Sequence, residues 1–183
     1  MLYTRKGDSG TTKTFGCDQR ISKSSAIAEA LGSLDEVNSF LGIVKVRAGD
    51  SEFKIQNSGF GEIIHAIQEN LFIVQAELAG APKSITEEKV KEVEMLVDSA
   101  EKEMPPIKTF FISGGTELGA SFDFARTLAR RAERRVTAVL DEGSRKISAH
   151  SQSYLNRLSS LLYALARLSS HKSGINEQPP SYK

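Results

Sequence analysis

Apolar residues return every third or fourth position along five separate stretches of this chain, and glycine or proline closes most of them. That period is the mark of an amphipathic helix with one face to bury. Ser24 or Ser25 can cap the first helix, which runs to about Ala48 with Ile27, Leu31, Leu34, Val37, Leu41 and Val44 inside. The polar connection 49–59 leads to a second helix from about Phe60 to Ala79. Its buried side is Ile63, Ile64, Ile67, Leu71 and Val74, and Gly80 stops it. Ser84 and Glu87 have the spacing of a capping box for a third helix, which Pro105 and Pro106 end. The apolar run IKTFFISGGT reads as extended chain entering a turn. A fourth helix follows from about Thr116 to Asp141, ended by Gly143. The fifth, from Ile147 to Ser169, carries Tyr154, Leu155, Leu158, Leu161, Leu162 and Leu165 as its apolar set. No stretch pattern pairs as strands and no repeat is apparent. The expected fold is all-α, an antiparallel five-helix bundle in one domain: an arm over 1–22, the bundle over 23–170, and a mobile tail over 171–183.

The fourth helix carries the most unusual charge pattern. FARTLARRAERR holds five arginines in twelve residues. Arg126, Arg130, Glu133 and Arg134 fall within roughly a 100° arc. The neighbouring arc is the apolar set Ala125, Leu128, Ala129, Ala132, Val136 and Val139. Guanidinium groups stacked one turn apart repel each other unless an anion sits among them. Their planar fork suits phosphate and carboxylate oxygens. The stripe is local, because 24 basic residues balance 23 acidic ones to a net charge of +1. That balance argues against general nucleic-acid binding.

Other classes are excluded as simply. No apolar run approaches a membrane span, and the N-terminal MLYTRKGDSG has no signal-peptide core. Cys17 is the only cysteine, so no intrachain disulfide forms and a cytoplasmic location is the simpler reading. His65, His150 and His171 lack metal-ligand spacing, so no protein-held metal is expected.

The arm TRKGDSGTTKT, Thr4 to Thr14, combines two glycines, four threonines and three basic residues. Backbone N–H groups in such a loop can cradle phosphate oxygens, with hydroxyls and ammoniums adding contacts. It lacks the spacing of a P-loop, and a solvated N-terminus is the bland alternative. Phe110 and Phe111 precede a tight turn, as core aromatics or as a ring offered to a flat ligand. Asp35 and Asn38 share a face of the first helix. Asn156 sits beside the apolar seam of the fifth, where it needs a partner.

Taken in order, TRKGDSGTT, ALGSLDEVNSFLG, FFISGGTELGASFDFARTLARRAERRV and YLNRLSSLLYALAR resemble the PduO-type ATP:cob(I)alamin adenosyltransferases, or corrinoid adenosyltransferases. The resemblance covers Tyr3 to Arg167 and is weakest between Gly49 and Glu103. It implies a ferritin-like bundle assembled as a homotrimer, with active sites between subunits. It also implies transfer of the 5′-deoxyadenosyl group of ATP to cob(I)alamin, with release of triphosphate. By the same likeness Thr4, Arg5, Lys6 and Gly7 wrap the ATP, Thr12 and Lys13 lie close by, and Lys23 approaches the phosphates. Arg130, Glu133, Arg134 and Asn156 complete the nucleotide and Mg²⁺ environment. Asp35 and Arg126 correspond to an intersubunit ion pair, and Phe110 to the aromatic residue that displaces the lower axial ligand of the corrinoid. An external reductase supplies the electron for Co(I), since the chain has no flavin or iron–sulfur motif.

Two departures stand out. Ser113 occupies the place of a frequent proline before the double glycine, which leaves that turn less constrained. Ser24 and Ser25 replace frequent aspartates after Lys23, which keeps the helix cap and removes acidic contacts. The competing readings are an ATP-binding sensor or scaffold that has lost corrinoid chemistry, and a bundle whose arginines only form surface ion pairs.

Overall fold

The computed structural model describes residues 3–15, 19–49 and 51–183; Cys17, on which the redox reading rests, lies outside them. The helices are α1 (Ala26–Gly49), α2 (Phe60–Ala79), α3 (Glu87–Lys102), α4 (Glu117–Asp141) and α5 (Ala149–Lys172). They are the five expected helices. In cross-section α1 packs between α2 and α4, and α5 packs between α4 and α3. Successive helices reverse direction, so α3 and α5 run the same way, linked by Glu94–Arg157 at one level and Glu103–Lys172 further along.

The core is the set the helical period selects. Leu34, Leu41, Ile64, Leu71, Val74, Phe122, Leu158 and Leu162 are all buried. Burying each such side chain stabilises the fold by about 1.5–3 kcal/mol, whereas an exposed ion pair contributes about 0–1 kcal/mol. The apolar seams therefore hold the bundle, and the surface ion pairs mainly set which faces meet.

Local signals fix most helix ends. Thr116 Oγ1 accepts from Gly119 N at 2.9 Å, and Ser148 Oγ accepts from Ser151 N at 3.0 Å, capping α4 and α5. Gly80 closes α2 with a left-handed φ of 104°. The capping box expected for α3 does not form. Thr86 is the residue before the helix, and Glu87 pairs with Lys91 at 2.6 Å instead. Ile85 explains the shift: its side chain is buried and its N–H donates to Ser151 Oγ at 3.3 Å, which keeps the chain extended past Ser84.

Two antiparallel ladders depart from the strand-free reading. β1 (Thr11–Thr12) pairs with β2 (Ile21–Ser22) in the arm, and β3 (Lys54–Ile55) pairs with β4 (Ser58–Gly59) in the α1–α2 connection. Each strand has two residues, too few to show a period. The tail also has more structure than expected. α5 continues to Lys172, and Ile112 N donates to Gln178 O at 2.9 Å beyond it.

The entry to α4 is unusually tight. A β-carbon on Gly119 would stand 2.8 Å from Thr116 Oγ1, 3.0 Å from Ser170 Oγ and 3.2 Å from Ala166 O. One on Gly115 would meet the same Ser170 Oγ at 3.0 Å. Only glycine allows α4 and its leading turn to lie this close to α5.

Candidate active site

The arm folds into a cup. Its wall comprises Thr4, Lys6, Gly7, Thr11, Thr12, Lys13, Arg20 and Lys23, around a hollow of about 410 Å³. Arg5 starts the first bend with a left-handed φ of 58°, and Asp8 N and Gly10 N close turns back onto Arg5 O and Gly7 O. Lys23 N donates to Gly10 O at 2.9 Å, bringing the far end of the hairpin alongside. A β-carbon at Gly7 would lie 3.1 Å from Lys23 Nζ, so the missing side chain is what admits the ammonium. Arg20 ties the cup together. Its Nε donates to Thr11 Oγ1 and its Nη2 to Thr11 O, each at 2.7 Å, and Nη2 also donates to Lys6 O. Nothing in the sequence pattern singled out Arg20, because its work lies in a hairpin too short to have a period.

The second feature is a cleft of about 510 Å³ between α3, α4, α5 and the loop before α4. Phe110, Phe111, Arg126, Arg130, Ser160 and Tyr163 are among its lining. Phe110 stands on its rim 74% exposed, an apolar ring held out to solvent. Gly114, with φ of 116°, turns the chain just after Ser113, which also lines the cleft.

The groove continues along α4 and α5, which run antiparallel in a steady register. Asp123 pairs with Arg167, the Arg126 guanidinium carbon lies 5.8 Å from the Tyr163 ring centre, and Asn156 Nδ2 donates to Glu133 Oε1 at 2.9 Å. Arg157 Nη1 in turn donates to Asn156 Oδ1 at 2.7 Å, fixing the amide's orientation. Asn156 thus has its partner, and the partner is Glu133.

The five arginines of α4 divide by face. Arg131 and Arg135 reach across to Glu36 and Glu29 on α1. Arg126, Arg130 and Arg134 form no ion pair among the described residues. Arg126 Nε is buried and finds no hydrogen-bond acceptor among the described residues. Asp35 sits exposed on α1 and does not pair with Arg126 in the same chain.

Apart from Asp35, which stands alone on α1, the assigned residues collect into two groups with no shared lining residue: the arm cup, and the α4–α5 groove with Phe110. The structure adds Tyr163 and a buried charge cluster beside the cleft. Arg167, 3% exposed, pairs with Asp123 through Nη2 and with Glu177 Oε1 through Nη1 at 2.7 Å. Burial raises the Glu177 carboxyl above the ordinary carboxylate range, and Arg167 pulls it partly back. Burial raises the Tyr163 phenol as well. The signal for Asp123 and Arg167 was present: each interrupts an apolar face of a helix, a place where a charge requires a partner.

These two half-sites sit in a chain whose residues 2–169 match the family model described as cobalamin adenosyltransferase. The chain belongs to the cobalamin adenosyltransferase family. The corrinoid adenosyltransferase PduO of Citrobacter freundii is 39% identical over 177 residues, covering 93% of this chain and 50% of that protein. The corrinoid adenosyltransferase of Bacillus subtilis strain 168 is 35% identical over 183 residues, covering 96% of this chain and 90% of that one. The chain thus spans about half the length of the first relative and most of the second. Among solved structures, a PduO-type ATP:corrinoid adenosyltransferase from Lactobacillus reuteri superposes with a TM-score of 0.87 at 26% identity, covering 99% of both chains. That protein is a phenylalanine-to-alanine variant complexed with cobalamin and ATP. Within the family frame, the groove carries the arginines and the exposed ring, and the arm carries the cup. No helix among the described residues is long and apolar enough to cross a membrane.

Proposed function

We propose that this chain transfers the 5′-deoxyadenosyl group of ATP to cob(I)alamin, giving adenosylcobalamin and triphosphate. The observation that carries this reading is the pairing of an exposed apolar ring, Phe110, with unpaired arginines in one cleft. An anion alone would need the arginines; a flat macrocycle beside a polyphosphate accounts for both.

In the reaction the cobalt(I) electron pair attacks C5′, the C5′–O bond breaks, and its electrons leave with triphosphate as the cobalt–carbon bond forms. No general base is required, so the protein's task is alignment and charge stabilisation. Thr4, Arg5, Lys6, Gly7, Thr12, Lys13 and Lys23 hold the nucleotide from the arm. Arg130 and Arg134 face the charge that grows on the leaving group. Glu133, the one carboxylate among these nucleotide residues, would hold Mg²⁺ together with phosphate oxygens, and the ion would offset their charge. Phe110 covers the lower axial face and offers cobalt no ligand, which leaves Co(II) four-coordinate and so easier to reduce. An external reductase supplies the electron.

We further propose that the site closes between subunits of a homotrimer in the cytoplasm. The cup and the groove share no lining residue within one chain. Arg126 forms no ion pair among the described residues and Asp35 is exposed, as expected if the two pair across an interface. Phe124 also stands exposed on α4, its ring 4.9 Å edge-on from Phe40.

The test is to mix the protein with ATP, Mg²⁺ and chemically reduced cobalamin, then follow the visible spectrum and the phosphate products. Adenosylcobalamin and triphosphate are expected. Orthophosphate or pyrophosphate as the only phosphate product would exclude this chemistry. Phe110→Ala is expected to slow adenosylation from Co(II) more than from supplied Co(I), and equal slowing would remove the axial-face role.

A further inference from the structure

The C-terminal segment carries a buried charge for which the proposed reaction has no use. Glu177 lies beyond the last helix between exposed neighbours, yet its side chain is only 8% exposed. Burying a carboxylate is expensive unless a cation meets it. Arg167 is that cation, and it already has Asp123 as a partner in the core. The bundle itself therefore does not require the second acid. What Glu177 adds is an attachment for the tail.

That attachment converges on one loop. The Arg167 guanidinium carbon lies 5.7 Å from the centre of the Phe111 ring and 5.0 Å from that of Tyr163. One residue past Glu177, Gln178 O accepts from Ile112 N at 2.9 Å. Ile175 Cγ2 and Glu177 Cγ stand 3.3 Å and 3.5 Å from where a β-carbon on Gly115 would be. The tail thus touches the loop at Ile112 and Gly115 and reaches Phe111 through Arg167. Phe110, 74% exposed, makes no ring contact of its own among the described residues. Its placement depends on its neighbours. With Ser113 in place of a proline, the loop's own covalent geometry constrains it less.

We infer that residues 175–178 form a strap, latched by Glu177 onto Arg167, which fixes the loop that presents Phe110, so that Glu177 is a positioning residue for the role of that ring. The inference rests on the function proposed above. Its physical part, the latch, does not.

The test uses the full chain as wild type, Glu177→Ala and Glu177→Gln. Hydrogen exchange is measured across 110–115, and adenosylation is measured both from Co(II) with a reductant and from chemically supplied Co(I). In Glu177→Ala, exchange at the Ile112 amide is expected to rise by about tenfold or more, with α1 and α2 unchanged. The Co(II) route should lose kcat with little change in the KM for ATP, while the Co(I) route holds. The spectrum of four-coordinate Co(II) formed in the presence of ATP should weaken. Glu177→Gln keeps the shape without the charge, and is expected to recover part of each signal. Unchanged exchange at Ile112 would overturn the latch. Faster exchange with equal loss on both routes would overturn the positioning role. If the wild type makes adenosylcobalamin by neither route, the proposed function fails, and the exchange data alone then decide the latch.

Discussion

Arg131 on α4 pairs with Glu36 on α1, while Arg130 beside it lines the cleft and meets no carboxylate among the described residues. One residue of sequence separates a cation that orients two helices from one that faces the open cleft. Arg131→Ala should therefore cost about 0–1 kcal/mol of stability, as exposed pairs do, and leave kcat/KM for ATP near wild type. Arg130→Ala should leave stability alone and lower kcat/KM by roughly ten- to hundredfold, the worth of a charge-assisted contact of about 1.5–3 kcal/mol. Denaturant unfolding beside steady-state kinetics separates the two. Matching phenotypes would deny the division of faces.

A site shared between subunits predicts complementation. Lys23→Ala damages the arm cup and Arg130→Ala damages the groove, so each variant alone should lose roughly tenfold or more of its activity. Mixed and reassembled subunits should regain activity, because some sites then unite an intact arm with an intact groove. A mixture no better than its components would mean that cup and groove serve the same chain or different ligands.

Gly7 makes room for Lys23. Adding one methyl places a carbon 3.1 Å from Nζ and 3.3 Å from Cε, both at the free end of a flexible side chain. Lys23 can swing away at little cost, so Gly7→Ala should keep its melting temperature. The displaced ammonium should raise the KM for ATP by about fivefold, the equivalent of roughly 1 kcal/mol. A drop in melting temperature with unchanged KM would show that Gly7 serves the fold and not the ligand.

Tyr154 sets an alkaline limit. It is fully buried on α5, and burial carries its phenol well above the ordinary value of 10.0. A folded-state pKa above the unfolded one contributes stability that is complete below about pH 10 and is lost as pH rises beyond it. The unfolding free energy should fall above that point, with phenolate absorbance appearing alongside unfolding. Tyr154→Phe should flatten the pH slope. An unaltered slope in that variant would assign the alkaline loss to other groups.

The helices were legible because burial acts on a 3.6-residue period and leaves a record in every turn. Leu34, Ile64, Leu71 and Leu158 all face inward as that period requires. The arginine stripe was legible as a ridge, and its arc already left out Arg131 and Arg135. Their partners were not legible, because Glu36 and Glu29 come within reach only once α1 lies beside α4. Arg20 and Glu177 were invisible for a similar reason. Each acts through a partner distant in sequence, Arg20 inside a two-residue ladder and Glu177 across a tail with no period at all. The start of α3 was misjudged because Ile85, an isolated buried residue, outweighed the capping pattern around it.

The crossing where Gly115 and Gly119 lie against Ser170 leaves no room for even a methyl group. Helices in such contact cannot part at that end without breaking the seam. The groove therefore cannot widen at that crossing, and the helical frame there is a fixed gauge of what fits.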